Sequence, residues 1–281
     1  MNSVLKQEIK INNAQGIAMT ADIHLPKRKT PAPILVFCHG FKGFKDWGHF
    51  NWVAEQAAHN GLAFLKFNFS KNGVVDHHLN EISDLEAFSN NNYSTEISDL
   101  KAVIDEIEKQ AEAWRIDTTQ LFVVGHSRGG GIALLEASED NRVKGLVLWA
   151  SVSEFASFFR PETIQQWEKE GVVYAPNKRT GVQLPLKKQF YDDYTANQSK
   201  LDVKKAAKLL SVPLLIIHGD QDESVSMQHA ENLYNIVPHS ILIKVEGGTH
   251  TFGAQHPFDP ANDVTPMLEE LIENTFEFVT D

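Results

Sequence analysis

In VVGHSRGGG, residues 123–131, an apolar run ends at Gly125, a single serine follows at Ser127, and three glycines come after it. A plain turn needs one glycine at most. A sharp strand-to-helix turn accounts for the rest. Its central residue is forced into a strained backbone conformation, and the residues two before and two after it come too close to carry side chains. Gly125 and Gly129 therefore free the turn, and the Ser127 hydroxyl is pushed to its exposed tip. Gly130 and Gly131 would let the following helix lie close to the sheet. The flanking sequence agrees, since QLFVVG reads as a strand and GIALLEAS as a helix.

A serine hydroxyl is a weak nucleophile at neutral pH. It needs a base to take its proton and an acid to hold that base in the right tautomer. Of twelve histidines, His250 stands out, because ILIKVEGGTHTFG sets it just past a strand and after two glycines. His239 and His256 read as surface histidines. For the acid, PLLIIHGDQDESV offers Asp220 and Asp222, in the chain order serine, aspartate, histidine. Asp220 directly follows Gly219 and suits bonding to turn amides. Asp222 is the stronger candidate, and Asp220 stays open.

Attack on a carbonyl places negative charge on its oxygen, which two backbone amides normally receive. Arg128 opens the helix after the serine and offers one. FCHGFKG offers the other at Phe41, with His39 reading as a brace of that loop and not as a base. The Arg128 side chain would meet a substrate carboxylate if turned inward, or lie on the helix surface.

Around this centre the pattern is that of an α/β protein. SVLKQEIKI and IAMTADIHL alternate around NNAQG as an edge hairpin. PILVFC, LAFLKF, LFVV, GLVLW, PLLII and ILIKV are continuous apolar runs, as in strands covered on both faces. Ile97, Leu100, Val103, Ile104 and Ile107 make one helical stripe, with Asp99, Lys101, Asp105 and Glu106 facing elsewhere. This alternation predicts a mostly parallel central sheet flanked by helices. About 60 residues from Ser151 to Ser211 exceed a simple crossover. They predict a cap at 151–211 inserted into a core of 1–150 and 212–281. Phe158, Phe159, Trp167 and Tyr174 would either line an apolar acyl or aromatic pocket or form the cap's own core.

A formal charge of −11 argues against nucleic acid and anionic membrane surfaces as partners. The one cysteine, Cys38, excludes an intramolecular disulfide and reads as a buried apolar residue. Neither a leader nor an apolar run long enough for a membrane span is evident, so a cytoplasmic location is expected. Asp76, His77 and His78 are adjacent in a loop and would rarely converge on one ion, so no metal site is expected there.

Taken in order, HGFKG, GHSRGG, HGDQD and GGTH resemble the α/β-hydrolase superfamily across nearly the whole chain from about residue 17. Within it the chain is most similar to the dienelactone-hydrolase-like and serine-aminopeptidase-like branch, and its cap resembles that of bacterial cinnamoyl or feruloyl esterases. The resemblance implies a triad of Ser127, Asp222 and His250, with Phe41 and Arg128 as oxyanion donors. It also implies hydrolysis of a small-molecule ester through an acyl-enzyme, with no metal and no cofactor. Dienelactone hydrolases proper use a cysteine nucleophile, a position that Cys38 does not occupy. Thioester or short-peptide hydrolysis would use the same triad, and a receptor without catalysis could share the fold.

Overall fold

The computed structural model describes residues 4–75 and 81–280, so Asp76, His77 and His78 lie outside the described residues. The chain opens with strands β1 (Leu5–Asn12) and β2 (Ala18–Leu25), which pair antiparallel around the NNAQG turn. Next come β3 (Ala32–Cys38), helix α1 (Phe50–His59), β4 (Ala63–Phe67), a short α2 (Leu85–Ser89) and α3 (Tyr93–Trp114). Strand β5 (Ile116–His126), helix α4 (Arg128–Glu139) and β6 (Val143–Trp149) follow. After a long excursion come β9 (Leu214–Gly219), α8 (Met227–Ile236), β10 (Ser240–Val245) and α9 (Pro266–Thr280). The sheet order is β1-β2-β4-β3-β5-β6-β9-β10, antiparallel through the β2–β4 pair and parallel from β4 onward.

Side chains of a strand alternate between its faces, and each central run is apolar at every position because both faces are covered. Ile34, Val36, Val123, Leu146 and Ile216 join one core with the α3 stripe, α4 and α8. Leu35, Phe37, Val124, Val147 and Leu215 join a second core with α1 and α9. ILIKV departs from the expectation of two covered faces. As β10 it is an edge strand, with Ile241 52% exposed. Asp99 departs in the other direction: it is buried, and it accepts bonds from Asn13 Nδ2 and the Ser70 amide, each at 2.8 Å. Periodicity assigned it outward because a long-range partner leaves no trace in local spacing. Lys66, the charge inside β4, is buried between Asp22 at 2.5 Å and Asp46 at 2.6 Å.

The excursion between β6 and β9 holds α5 (Pro161–Glu170), an antiparallel pair β7 (Val172–Pro176) and β8 (Gln183–Lys187), α6 (Gln189–Ala196) and α7 (Val203–Leu209). Helix α7 packs on α4 and α8, putting Val203, Ala206 and Ala207 into the first core. The remainder packs its aromatic residues on one another and on Tyr93 of α3. Trp167 is fully buried and donates from Nε1 to the Leu186 carbonyl at 2.7 Å. Phe159 stacks on Tyr194 at 4.5 Å between ring centres. No described helix is long and apolar enough to cross a membrane.

Candidate active site

Ser127 stands between β5 and α4 with φ +58° and ψ −122°, a conformation that costs a non-glycine residue about 1–3 kcal/mol. The turn is held from several sides. The Ser127 amide donates to the Trp149 carbonyl at 2.9 Å, and its own carbonyl accepts from Gly130 at 3.0 Å and Val152 at 3.3 Å. A Cβ at position 125 would lie 2.5 Å from the Gly130 Cα, and one at position 129 would run into the Cys38 carbonyl. The two glycines are thus required by close approach. Gly130 and Gly131 face Ser151 and the Phe155 ring, so the residues after β6 fill the space these glycines leave beside α4.

Asp222, in the loop after β9, has a fully buried side chain. One carboxylate oxygen lies 2.7 Å from His250 Nδ1, and the other accepts the amides of Ser224 at 2.8 Å and Val225 at 2.9 Å. Burial alone would raise this carboxyl's pKa. Hydrogen bonds from His218 and His250, the charge interaction with His250 and the Val225 amide outweigh burial and hold it well below the usual range. An ionised carboxylate only accepts, so His250 Nδ1 donates and Nε2 is left as the acceptor. Asp220 is placed otherwise, accepting the Gly247 amide at 2.8 Å and joining its loop to the one that leads to His250. His239 bonds the Val212 carbonyl on the surface, and His256 Nδ1 accepts the Gly48 amide.

Two histidines brace this arrangement. His39 donates from Nδ1 to the Gly40 carbonyl at 2.9 Å and has the Phe69 amide at 3.4 Å and Asn72 Nδ2 at 3.3 Å from Nε2. It fixes the loop that carries Phe41. That loop presses on the nucleophile turn, since a Cβ at Gly40 would lie 2.9 Å from the Ser127 Cβ. His126, the residue before the serine, donates from Nε2 to the His250 carbonyl at 2.9 Å. Sequence reading missed this tie, which spans 124 residues.

The Arg128 side chain neither points to a free carboxylate site nor lies on the helix surface. It is buried and pairs through two nitrogens with Glu96 of α3, at 2.9 and 2.5 Å. The rings of Phe41, Tyr93 and Phe190 surround its guanidinium at 5.1, 4.9 and 5.2 Å. Glu96 could not be linked to Arg128 from sequence, because only the fold brings α3 to the start of α4.

Ser127 and His250 both line two chambers that also share Phe41, Lys42 and Ser224. The first, about 500 Å³, runs beneath the β7–β8 turn between Lys178, Arg179 and Trp47. The second, about 570 Å³, has walls from Tyr93, Phe155, Phe158, Tyr174 and Leu186. Of the four cap aromatics singled out in the sequence, Phe158 and Tyr174 line this second chamber. Phe159 and Trp167 face the cap interior.

Buried neutral histidines make a prediction about acid. Burial lowers the pKa of His24 and His39 to about 4, and that of His49 and His126 to about 3. Between those values and the ordinary 6.5 the unfolded chain binds more protons, so stability is complete above about pH 7 and falls as pH drops. Each ring then costs on the order of 2 kcal/mol at pH 5. Urea midpoints should fall steadily from pH 7.5 to 5.0, and a constant midpoint would mean that these rings titrate normally.

The family model BD-FAE matches residues 21–237. An uncharacterised peptidase, YuxL of Bacillus subtilis, is 28% identical over 140 residues, which are 48% of this chain but 18% of that protein. This chain therefore spans less than a fifth of that relative's length. An uncharacterised 31.7 kDa protein from the traX-finO intergenic region of Escherichia coli is 23% identical over 256 residues, covering 80% of this chain and 84% of that one. Among solved structures, Est1E from Butyrivibrio proteoclasticus with ferulic acid bound superposes with a TM-score of 0.73 at 22% identity, over 97% of this chain and 98% of that one. A dienelactone hydrolase from Anabaena variabilis gives 0.63 at 15% identity, over 99% and 97%. At these identities the structural likeness speaks to fold, and the fold is that of the α/β-hydrolases. With the model covering most of its length, the chain belongs to the BD-FAE family.

Proposed function

We propose that this hydrolase is a serine carboxylesterase that cleaves small or medium acyl esters through an acyl-enzyme. The observation that carries the reading is the 2.7 Å contact of buried Asp222 with His250, in a cavity that this histidine shares with the strained Ser127. In the cycle, His250 Nε2 takes the Ser127 proton as Oγ bonds to the ester carbonyl carbon. The amides of Phe41 and Arg128 receive the oxyanion. The carbonyl reforms, the alkoxide leaves with the proton from His250, and Ser127 holds the acyl group. Water then gives a proton to His250, attacks the acyl carbon, and releases the acid as the proton returns to Ser127. The cycle calls on no metal or cofactor.

Residues 151–211 act as a cap over the core of 1–150 and 212–281, and the enzyme works in the cytoplasm. Two chambers meeting at Ser127 suit the acyl and alcohol arms of one ester. Est1E binds ferulic acid, and the aromatic wall of the second chamber supports a hydroxycinnamoyl group as the acyl arm here. A fluorophosphonate probe should label the wild type and not Ser127→Ala. In a panel of p-nitrophenyl esters, acyl-CoA and aminoacyl anilides, the esters should be turned over fastest. Labelling with anilide cleavage alone would move the assignment to peptide hydrolysis, and an unlabelled wild type would favour a ligand receptor.

A further inference from the structure

His229, on the first turn of α8, lines the second chamber with Ser127 and His250, and the proposed cycle gives it no task. Its Nδ1 lies 3.0 Å from the Ser153 amide nitrogen and 3.0 Å from the Ser153 hydroxyl. A backbone amide can only donate, so Nδ1 is an acceptor and the ring proton sits on Nε2. Burial lowers the ring's pKa, which keeps the neutral form at physiological pH. Ser153 is fully buried, so the ring is tied to a rigid part of the core. Nε2–H has no hydrogen-bond partner among the described residues, and Glu154, the carboxylate of the same chamber, is engaged by Lys204. A donor of fixed tautomer therefore stands unpaired in a wall that combines Phe155, Phe158, Val173 and Tyr174 with the polar side chains of Ser157, Arg160 and Thr163.

We infer that His229 is a specificity-determining residue whose Nε2–H donates to an acceptor oxygen on an aromatic arm seated in the second chamber. This rests on the esterase reading and narrows its substrate class to aromatic esters carrying a ring oxygen. A bare ring would bring this donor no acceptor. The expected discrimination is about 10- to 100-fold in kcat/KM.

The test compares methyl 4-hydroxycinnamate with methyl cinnamate on wild type, His229→Asn and His229→Gln. Asparagine sets an oxygen near the place of Nδ1, keeping the Ser153 amide paired while deleting the donor. Glutamine sets its amide nitrogen near the place of Nε2. The wild type should prefer the hydroxylated ester, His229→Asn should bring the ratio to within about threefold of unity, and His229→Gln should keep most of the preference. An unchanged ratio in His229→Asn, or equal losses on both esters in both variants, would overturn the role. Fluorophosphonate labelling of the same samples separates the two levels. A labelled wild type blind to the hydroxyl overturns His229 alone, whereas an unlabelled wild type inactive on both esters overturns the esterase reading with it.

Discussion

Ser127→Ala is expected to lower kcat for ester hydrolysis by at least about 10⁴-fold, the loss that follows when a serine nucleophile is removed and only binding and the oxyanion amides remain. Fold should survive, because alanine keeps the Cβ and hence the same strain at φ +58°. Ser127→Gly separates the two contributions. It should be equally inactive yet more stable by roughly 1–3 kcal/mol, since glycine occupies positive φ without penalty. Steady-state hydrolysis of p-nitrophenyl acetate and urea unfolding measure both effects. If Ser127→Ala kept more than about 1% of wild-type kcat, another group would have to be the nucleophile.

The two aspartates of the loop after β9 should part company just as sharply. Asp222→Asn presents an amide where His250 Nδ1 now donates, which favours the wrong tautomer and removes the charge that would balance an imidazolium. Turnover should fall about 10³- to 10⁴-fold. Asp220→Asn keeps a carbonyl oxygen for the Gly247 amide and should stay within about threefold of wild type. Parallel kcat measurements on the two variants decide between them, and the opposite ordering would transfer the acid's role to Asp220.

Much of the architecture could be read in advance because it is written locally. Six apolar runs are strands, the α3 stripe is buried at Leu100, Val103, Ile104 and Ile107, and the glycines around Ser127 are those that close approach demands. The two aspartates could be ranked but not resolved, since they share a loop and differ only in which distant group each one meets. What stayed hidden lies between segments far apart in sequence. Arg128 with Glu96, His126 with the His250 carbonyl, and Ser153 with His229 are pairs of ordinary polar residues whose spacing carries no signal. The cap shows the same limit. Hydrophobic content marks Phe158, Phe159, Trp167 and Tyr174 alike, and only packing sends two inward and leaves two facing the chamber.

At Gly129 the helix carrying one of the two proposed oxyanion amides rests directly on the end of β3, whose next loop carries the other. The gap between those amides is therefore gauged by a missing methyl. Enlarging that one position would act as a spacer, prying apart two elements that each remain intact, and a well-folded protein could lose its grip on the transition state without any change to its triad.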